Sequence, residues 1–478
     1  MLFLDVTGQI LSTAFHCLYL ALIVATILIV IADNRSPVKT MAWILVLFFL
    51  PVVGLVLYLL VGRSTRHERF ISRSGYTRLV STPKQMSRSR AVLTAADADD
   101  RVRDFFTNVG SALTFGGNSV EVYTDGYGML SDLIRAISRA RHHVHLQFYI
   151  FEDDAVGRLL RDVLIDRARQ GVKVRLLYDD VGCWKVSKLF FDQMLCEGIE
   201  VLSFMKVRFP LFTGKVNYRN HRKIVVVDGE VGFIGGMNIA ERYLRGFSWG
   251  VWRDTHVRIE GKAVYGLQAA FLTDWYAMDR SLLTAPAYYP QLEDRGQVLV
   301  QTVTSDPVGQ WRDLMQGLVM AIGRASRYFY VQTPYFLPTE EVMTAFQSAA
   351  LAGVDVRVML PRKADAFLTH KGSLSYLNEL MEAGVKVLLY RKGFLHSKLW
   401  VWDDRAASVG SANLDFRSFE HNFEANAFFY DRQTARRLKH IFLADQQHCI
   451  QLTPKLWARR SRLNKITESV VRLLAPLL

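Results

Sequence analysis

The stretch from His221 to Asn238, HRKIVVVDGEVGFIGGMN, returns from His396 to Asn413 as HSKLWVWDDRAASVGSAN. A chain that carries it twice is constrained to build one plan two times over. Each copy sets a histidine, a lysine two residues on, an acid seven residues after the histidine, and then Gly-(Gly/Ser)-x-Asn. His221 leads into an apolar run, Ile224 to Val227, that reads as a buried strand ending at Asp228 and Gly229, and His396 leads into Leu399 to Trp402 in the same way. Side chains alternate along a strand, so His221 and Lys223 share a side, as do His396 and Lys398. A satisfied histidine beside a solvated lysine would account for one copy alone. Two copies in one register, each followed by a glycine-rich turn and an asparagine, point to chemistry.

The repetition extends beyond the motif. LIRAISRARHHVHLQFYIF, residues 133 to 151, aligns without gaps to LVMAIGRASRYFYVQTPYF, residues 318 to 336, each an amphipathic helix followed by a strand that carries Gln147 or Gln332. A second helix follows in each half, and then a strand opened by Gly171 or Gly353. Strands alternating with helices of this length predict an α/β fold with a parallel or mixed sheet, here a duplicated α/β/α domain with pseudo-two-fold symmetry over residues 111–290 and 291–478. Halves packed face to face would bring His221 and His396 into one shared cleft. The alternative is two independent sites, each holding a single histidine.

The formal charge of +14 calls for an anionic partner, and nucleic acid and anionic lipid both answer to it. Cys17, Cys183, Cys196 and Cys449 are scattered without CxxC spacing, which argues against a disulfide framework or a zinc site. The N-terminal region, 1–62, separates the two partners. Thr13 to Ala32 and Met41 to Val61 are each close to the roughly 20 apolar residues that span a bilayer, and they read as two transmembrane helices. A cleaved signal peptide would need a basic start, whereas Met1 to Ser12 carries only Asp5. Segment 63–110 reads as a basic cytoplasmic linker. Eight basic residues between Arg63 and Arg90 put both termini and the soluble part in the cytoplasm, and Arg63, Arg66, Arg69, Arg73 and Arg78 could hold anionic headgroups. Two further stretches mix apolar and basic residues. Lys206 to Lys215 could dip into the interface, and Lys455 to Leu478, with Trp457, Leu463, Ile466, Val470, Leu473 and Leu474, suits a helix lying on an anionic surface.

A neutral imidazole is a nucleophile and an imidazolium a general acid, so two histidines across a cleft can divide these roles near pH 7 without a metal. Lys223 and Lys398 are point-charge binders for an anion, and Ser411, Asn238 and Asn413 can donate hydrogen bonds to its oxygens. The substrate so implied is a phosphodiester. A metal held by His221 and His396 is the competing reading; the motifs contain no carboxylate cluster, and each lysine would repel a cation.

HxKxxxxD with a trailing Gly-Gly/Ser-x-Asn, present twice, resembles the phospholipase D superfamily. With the two apolar segments, TPYFLPTEE at 333–341 and NLDFRSFEHNFE at 413–424, the chain resembles the bacterial cardiolipin synthase family along its whole length. The resemblance implies phosphatidyl transfer through a covalent phosphohistidine: one phosphatidylglycerol loses glycerol, and a hydroxyl of a second attacks the intermediate. It assigns the nucleophile to His221 and the acid, later base, to His396, with Lys223 and Lys398 on the phosphoryl oxygens. Asp228 and Asp403 come with the motifs, although an acid at a strand end more often fixes a turn. Glu424 and Asp254 would orient the histidines. No cofactor is implied. The partners are phosphatidylglycerol, other anionic phospholipids and the bilayer of a bacterial inner membrane, with no nucleic acid and with oligomerisation left open. A phospholipase D hydrolase using water is the second reading, a nucleic-acid phosphodiesterase the third and a non-catalytic scaffold the fourth.

Overall fold

The computed structural model describes residues 2–32, 37–58, 62, 71–88, 101–110, 112–207 and 217–475. Arg63, Arg66 and Arg69, residues 59–61 of the second apolar segment, residues 208–215 of the stretch from Lys206 to Lys215, and residues 476–478 lie outside them.

Along His143–Phe148 all six side chains are buried, as a strand covered by helices on both faces requires. This strand runs parallel to Lys173–Asp179, which runs parallel to Glu200–Phe204. On its other side lies Ile224–Val227, the strand of the first motif, followed by Val231–Gly235, His256–Glu260 and Thr114–Tyr123, all antiparallel. The second half repeats the order. Lys386–Tyr390, Asp355–Pro361 and Tyr328–Gln332 are parallel; Leu399–Trp402, Ala406–Gly410, Asn422–Phe429 and Val298–Ser305 continue antiparallel. Cys449–Gln451 adds an outer strand with no counterpart among the described residues of the first half.

The halves meet where Thr114–Tyr123 pairs antiparallel with Val298–Ser305, so one sheet runs through both. The expectation of halves packed face to face omits this edge-to-edge joint. The sheet also coils far enough to bring Ala406–Gly410 against Val231–Gly235 and His256–Glu260, so faces meet as well. Ile234, Val257 and Ile259 of one half and Val409, Ala425 and Ala427 of the other belong to a single apolar cluster. Helix Val264–Asp279 is buried on nearly every side within it, which explains why its sequence shows no polar face.

Asp228 and Asp403 close the hairpins after the motif strands at φ 53° and 55°. The Asp228 carboxylate accepts from the backbone N–H groups of Arg141, His142 and His143, at 2.8 to 2.9 Å. Asp403 likewise accepts from those of Ser326, Arg327 and Tyr328. Each acid thus fastens its hairpin to the start of the neighbouring antiparallel strand.

Segment 63–110 holds more than a linker. Helix Arg73–Arg88 packs on Val264–Asp279 and buries Leu79. Helix Arg101–Gly110 packs on Asp313–Arg324 of the second half, with Phe106 fully buried and its ring 4.6 Å from that of Phe428. Phe106 fits because residue 317 is glycine; a Cβ there would lie 2.0 Å from the ring.

The N-terminal unit forms helices Leu2–Ala32, Pro37–Phe49 and Pro51–Leu57. Among the described residues only Ser12–Ala32 is a helix long and apolar enough to cross a membrane. The expected second spanning helix, Met41 to Val61, is divided at Leu50, whose φ of −132° and ψ of 63° leave the helical region. Proline after it is the reason: the Pro51 ring disfavours a helical residue before it, while its fixed φ suits the first turn of the next helix.

If Arg101–Gly110 is part of the second half's core, Phe106→Ala should destabilise the chain by about 3–5 kcal/mol through the cavity it leaves. The drop in the thermal unfolding midpoint in detergent reads this directly; a solvated linker would leave the midpoint unchanged.

Candidate active site

His221 follows the two-residue strand Arg219–Asn220, which pairs in parallel with Asn422–Phe423 of the other half, and the His221 N–H donates to the Phe423 carbonyl at 2.9 Å. This places His221 Nδ1 at 3.0 and 3.1 Å from the two oxygens of Glu424. The second copy mirrors it. Gly393–Leu395 pairs in parallel with Val251–Arg253, the His396 N–H donates to the Arg253 carbonyl at 2.7 Å, and His396 Nδ1 lies 2.6 Å from Asp254. The expected acids are therefore exchanged between halves: Glu424 of the second serves His221, and Asp254 of the first serves His396.

Burial, countered only in part by Glu424, holds His221 down at about 4, and burial together with Lys398 holds His396 at about 3. Burial alone would raise the Glu424 carboxyl, but His221, Lys223 and the Ser411 hydroxyl outweigh it and bring it to about 2. Asp254 is lowered in the same way, burial being outweighed by His396 and Lys398. Both pairs are thus neutral imidazole against carboxylate. Nδ1–H is donated to the acid, and the Nε2 lone pair is left for chemistry.

Lys223 Nζ donates to the His221 carbonyl at 2.6 Å and stands over the Tyr149 ring, which meets His221 edge-on at 5.1 Å. Lys398 Nζ donates to the His396 carbonyl and lies 3.0 Å from its Nε2. Burial lowers Lys223 to about 7 and Lys398 to about 8. Each lysine also acts on the histidine of the opposite half, so the two motifs form one electrostatic site.

Ser411, Asn238 and Asn413 are held otherwise than as free donors. The Ser411 hydroxyl donates to Glu424, and Asn238 donates to the Tyr243 hydroxyl while its Oδ1 accepts from Ile150 N–H at 3.0 Å. Asn413 is hydrogen-bonded through its N–H to Ser418 Oγ and through its side chain to Asp415, leaving its buried Oδ1 without a partner. In the first half Gly236 occupies the position of Ser411, and a Cβ there would lie 2.1 Å from Asp254. The glycine-rich turns therefore pack against the orienting acids.

Sequence reasoning missed a pair of buried arginines. Arg222 binds Asp274 through both carboxylate oxygens at 2.6 and 2.7 Å and donates to the Glu424 carbonyl at 3.0 Å. Arg253 pairs with Asp445 of the other half at 2.7 Å. Gln147 and Gln332 donate to the same two aspartates. The repeated FLTD at 271–274 and FLAD at 442–445 is a signal that could have found the acids. Nothing in the repeat marks the arginines, because Ser397 and Phe423 hold the corresponding positions in the second half.

The family model described as "Cardiolipin synthase, PLD-like domain" matches residues 133–275 and 318–446, and "Phospholipase_D-nuclease N-terminal" matches 20–63. A cardiolipin synthase of Geobacillus kaustophilus is 39% identical over 477 residues, covering 98% of this chain and 95% of its own. One from Listeria monocytogenes is 39% identical, with 94% and 95% covered. Among solved structures, the phosphatidylserine synthase of Haemophilus influenzae shares the fold at a TM-score of 0.61 and 14% identity, over 79% of this chain and 98% of its own. The chain belongs to the cardiolipin synthase family of phospholipase D-like proteins.

Glu424→Gln keeps the shape but removes the carboxylate that fixes the His221 tautomer, and should cut the rate by roughly 10²–10⁴-fold with the fold retained. The lysines set the alkaline side. Their charged forms are lost from the free enzyme as pH rises through about 7 and about 8, so kcat/KM should fall over that range. Lys223→Arg, which keeps its charge, should flatten this limb in a pH profile.

Proposed function

We propose that this chain joins two phosphatidylglycerol molecules into cardiolipin and releases glycerol. The observation that carries this reading is the pair of exchanged dyads, since a histidine whose Nδ1 is held by a carboxylate of the opposite half is present on each side of one lysine-lined site. The entering phosphodiester brings negative charge against Lys223 and Lys398. That charge offsets the lysine field, which adds to burial in holding the imidazoles neutral, so one of them can carry a proton. His221 Nε2 attacks phosphorus, and the glycerol oxygen leaves with the proton held on His396 Nε2. A hydroxyl of the second phosphatidylglycerol then gives its proton to His396 and attacks the phosphatidyl-histidine, which frees His221. Lys223 and Lys398 hold the phosphoryl oxygens through both steps.

The two phospholipase D-like domains, 111–290 and 291–478, share this one site. The protein is a bacterial inner-membrane enzyme with Ser12–Ala32 as a crossing and the large unit in the cytoplasm, the side favoured by the basic residues after Arg63. Helix Arg462–Leu473 presents Leu463, Ile466, Val470 and Leu473 to solvent beside Lys465, which fits an anionic lipid surface.

Purified enzyme given phosphatidylglycerol alone should yield cardiolipin and glycerol by mass spectrometry; phosphatidic acid as the main product would favour the hydrolase instead. His221→Ala and His396→Ala should each abolish synthesis, and about half the wild-type rate in either would establish two independent sites. With a substrate carrying a good leaving group, His396→Asn should accumulate the adduct on His221.

A further inference from the structure

The second apolar segment turns back on itself. The rings of Trp43 and Tyr58 meet edge-on with centroids 5.4 Å apart. Fifteen residues in a continuous helix would separate them by about 22 Å. A Cβ on Gly54 would lie 2.9 Å from the Val46 carbonyl oxygen, and one on Gly62 would lie 2.8 Å from the Trp43 ring. Both positions are glycine where the two arms come closest. Leu47 and Tyr58 are buried with Val30 of the first helix, and Trp43 and Leu55 pack against them. The arms, Pro37–Phe49 and Pro51–Leu57, are therefore an antiparallel pair with its turn at Leu50.

Neither arm can cross a bilayer, because thirteen residues of helix reach about 20 Å and the hydrocarbon core is about 30 Å thick. The turn is nevertheless suited to lipid. Leu50 N–H donates to the Val46 carbonyl, Gly54 N–H donates to the Leu50 carbonyl, and Pro51 has no N–H to leave unsatisfied. Phe48, Phe49 and Val52 surround the turn and are exposed, so its surroundings are apolar.

The basic residues agree, independently of the geometry. Met1 to Ser12 holds no lysine or arginine, Asp33 to Thr40 holds two, and Arg63 to Arg90 holds eight. Two crossings would put the basic connection outside and the flank without lysine or arginine inside, against the positive-inside bias. A single crossing at Ser12–Ala32, followed by a segment that enters and leaves on one side, places both basic stretches inside.

We propose that residues 37–58 form a re-entrant helical hairpin embedded in the cytoplasmic leaflet of the bilayer, so that the chain crosses the membrane once. The segment before Ser12 then faces away from the cytoplasm. This goes beyond the proposed lipid chemistry and does not depend on which product the enzyme makes.

Single cysteines at Gln9→Cys and Asn34→Cys in the full chain, labelled with a membrane-impermeant maleimide in intact cells, test it. Cys17 lies within the crossing, and Cys183, Cys196 and Cys449 belong to the large unit, so they are silent in intact cells. The hairpin requires Gln9→Cys to label in intact cells and Asn34→Cys to label only after permeabilisation. Labelling of Asn34→Cys from outside, or of Gln9→Cys only after permeabilisation, would overturn it. Thr7→Cys and Ser36→Cys repeat the test should either first variant fail to accumulate.

Discussion

The short parallel pairing of each histidine segment with the acid-bearing strand of the opposite half is the constraint on which this structure depends. Two residues at Arg219–Asn220 and three at Gly393–Leu395 suffice to thread each half into its partner. Around these threads the arginines act unequally. Both come from the first half, yet Arg222 anchors helix Val264–Asp279 there and Arg253 anchors helix Arg432–Gln446 in the second. Removing one member of such a buried pair typically costs 3–5 kcal/mol, because the other charge stays behind in the interior. The pseudo-symmetry of the fold is therefore held by an asymmetric set of ties.

The electrostatics follow from that threading. Two carboxylates and two lysines are buried together; His221 and Lys223 hold Glu424 low, His396 and Lys398 hold Asp254 low, and burial keeps the imidazoles neutral. Lysine and carboxylate so close would bind each other if geometry allowed. Glu424 is instead taken up by His221, Ser411 and Asn422, and Asp254 by His396 and the Thr255 N–H, which leaves the cations available to an anion.

Much of this was legible in the sequence. The repeat gave the duplicated α/β plan, and the strands Ile224–Val227 and Leu399–Trp402 begin and end where the apolar runs do. What the repeat could not reveal is anything that lies between its two copies. That Glu424 faces His221 rather than His396 depends on strand pairing across more than two hundred residues, which no local pattern encodes. Ser411 and Asn238 were misread for a related reason: donor groups near a motif look available until their partners, Glu424 and Tyr243, are placed beside them. The second apolar segment misled through composition, since hydropathy does not register that Pro51 ends one helix and starts another.

The exchange of acids also orders events in time. During synthesis His221 leaves the ribosome long before Glu424, and until that residue arrives the histidine has no carboxylate to fix its tautomer. A dyad whose histidine and carboxylate lie more than two hundred positions apart cannot form until both have left the ribosome and the strands that carry them have paired.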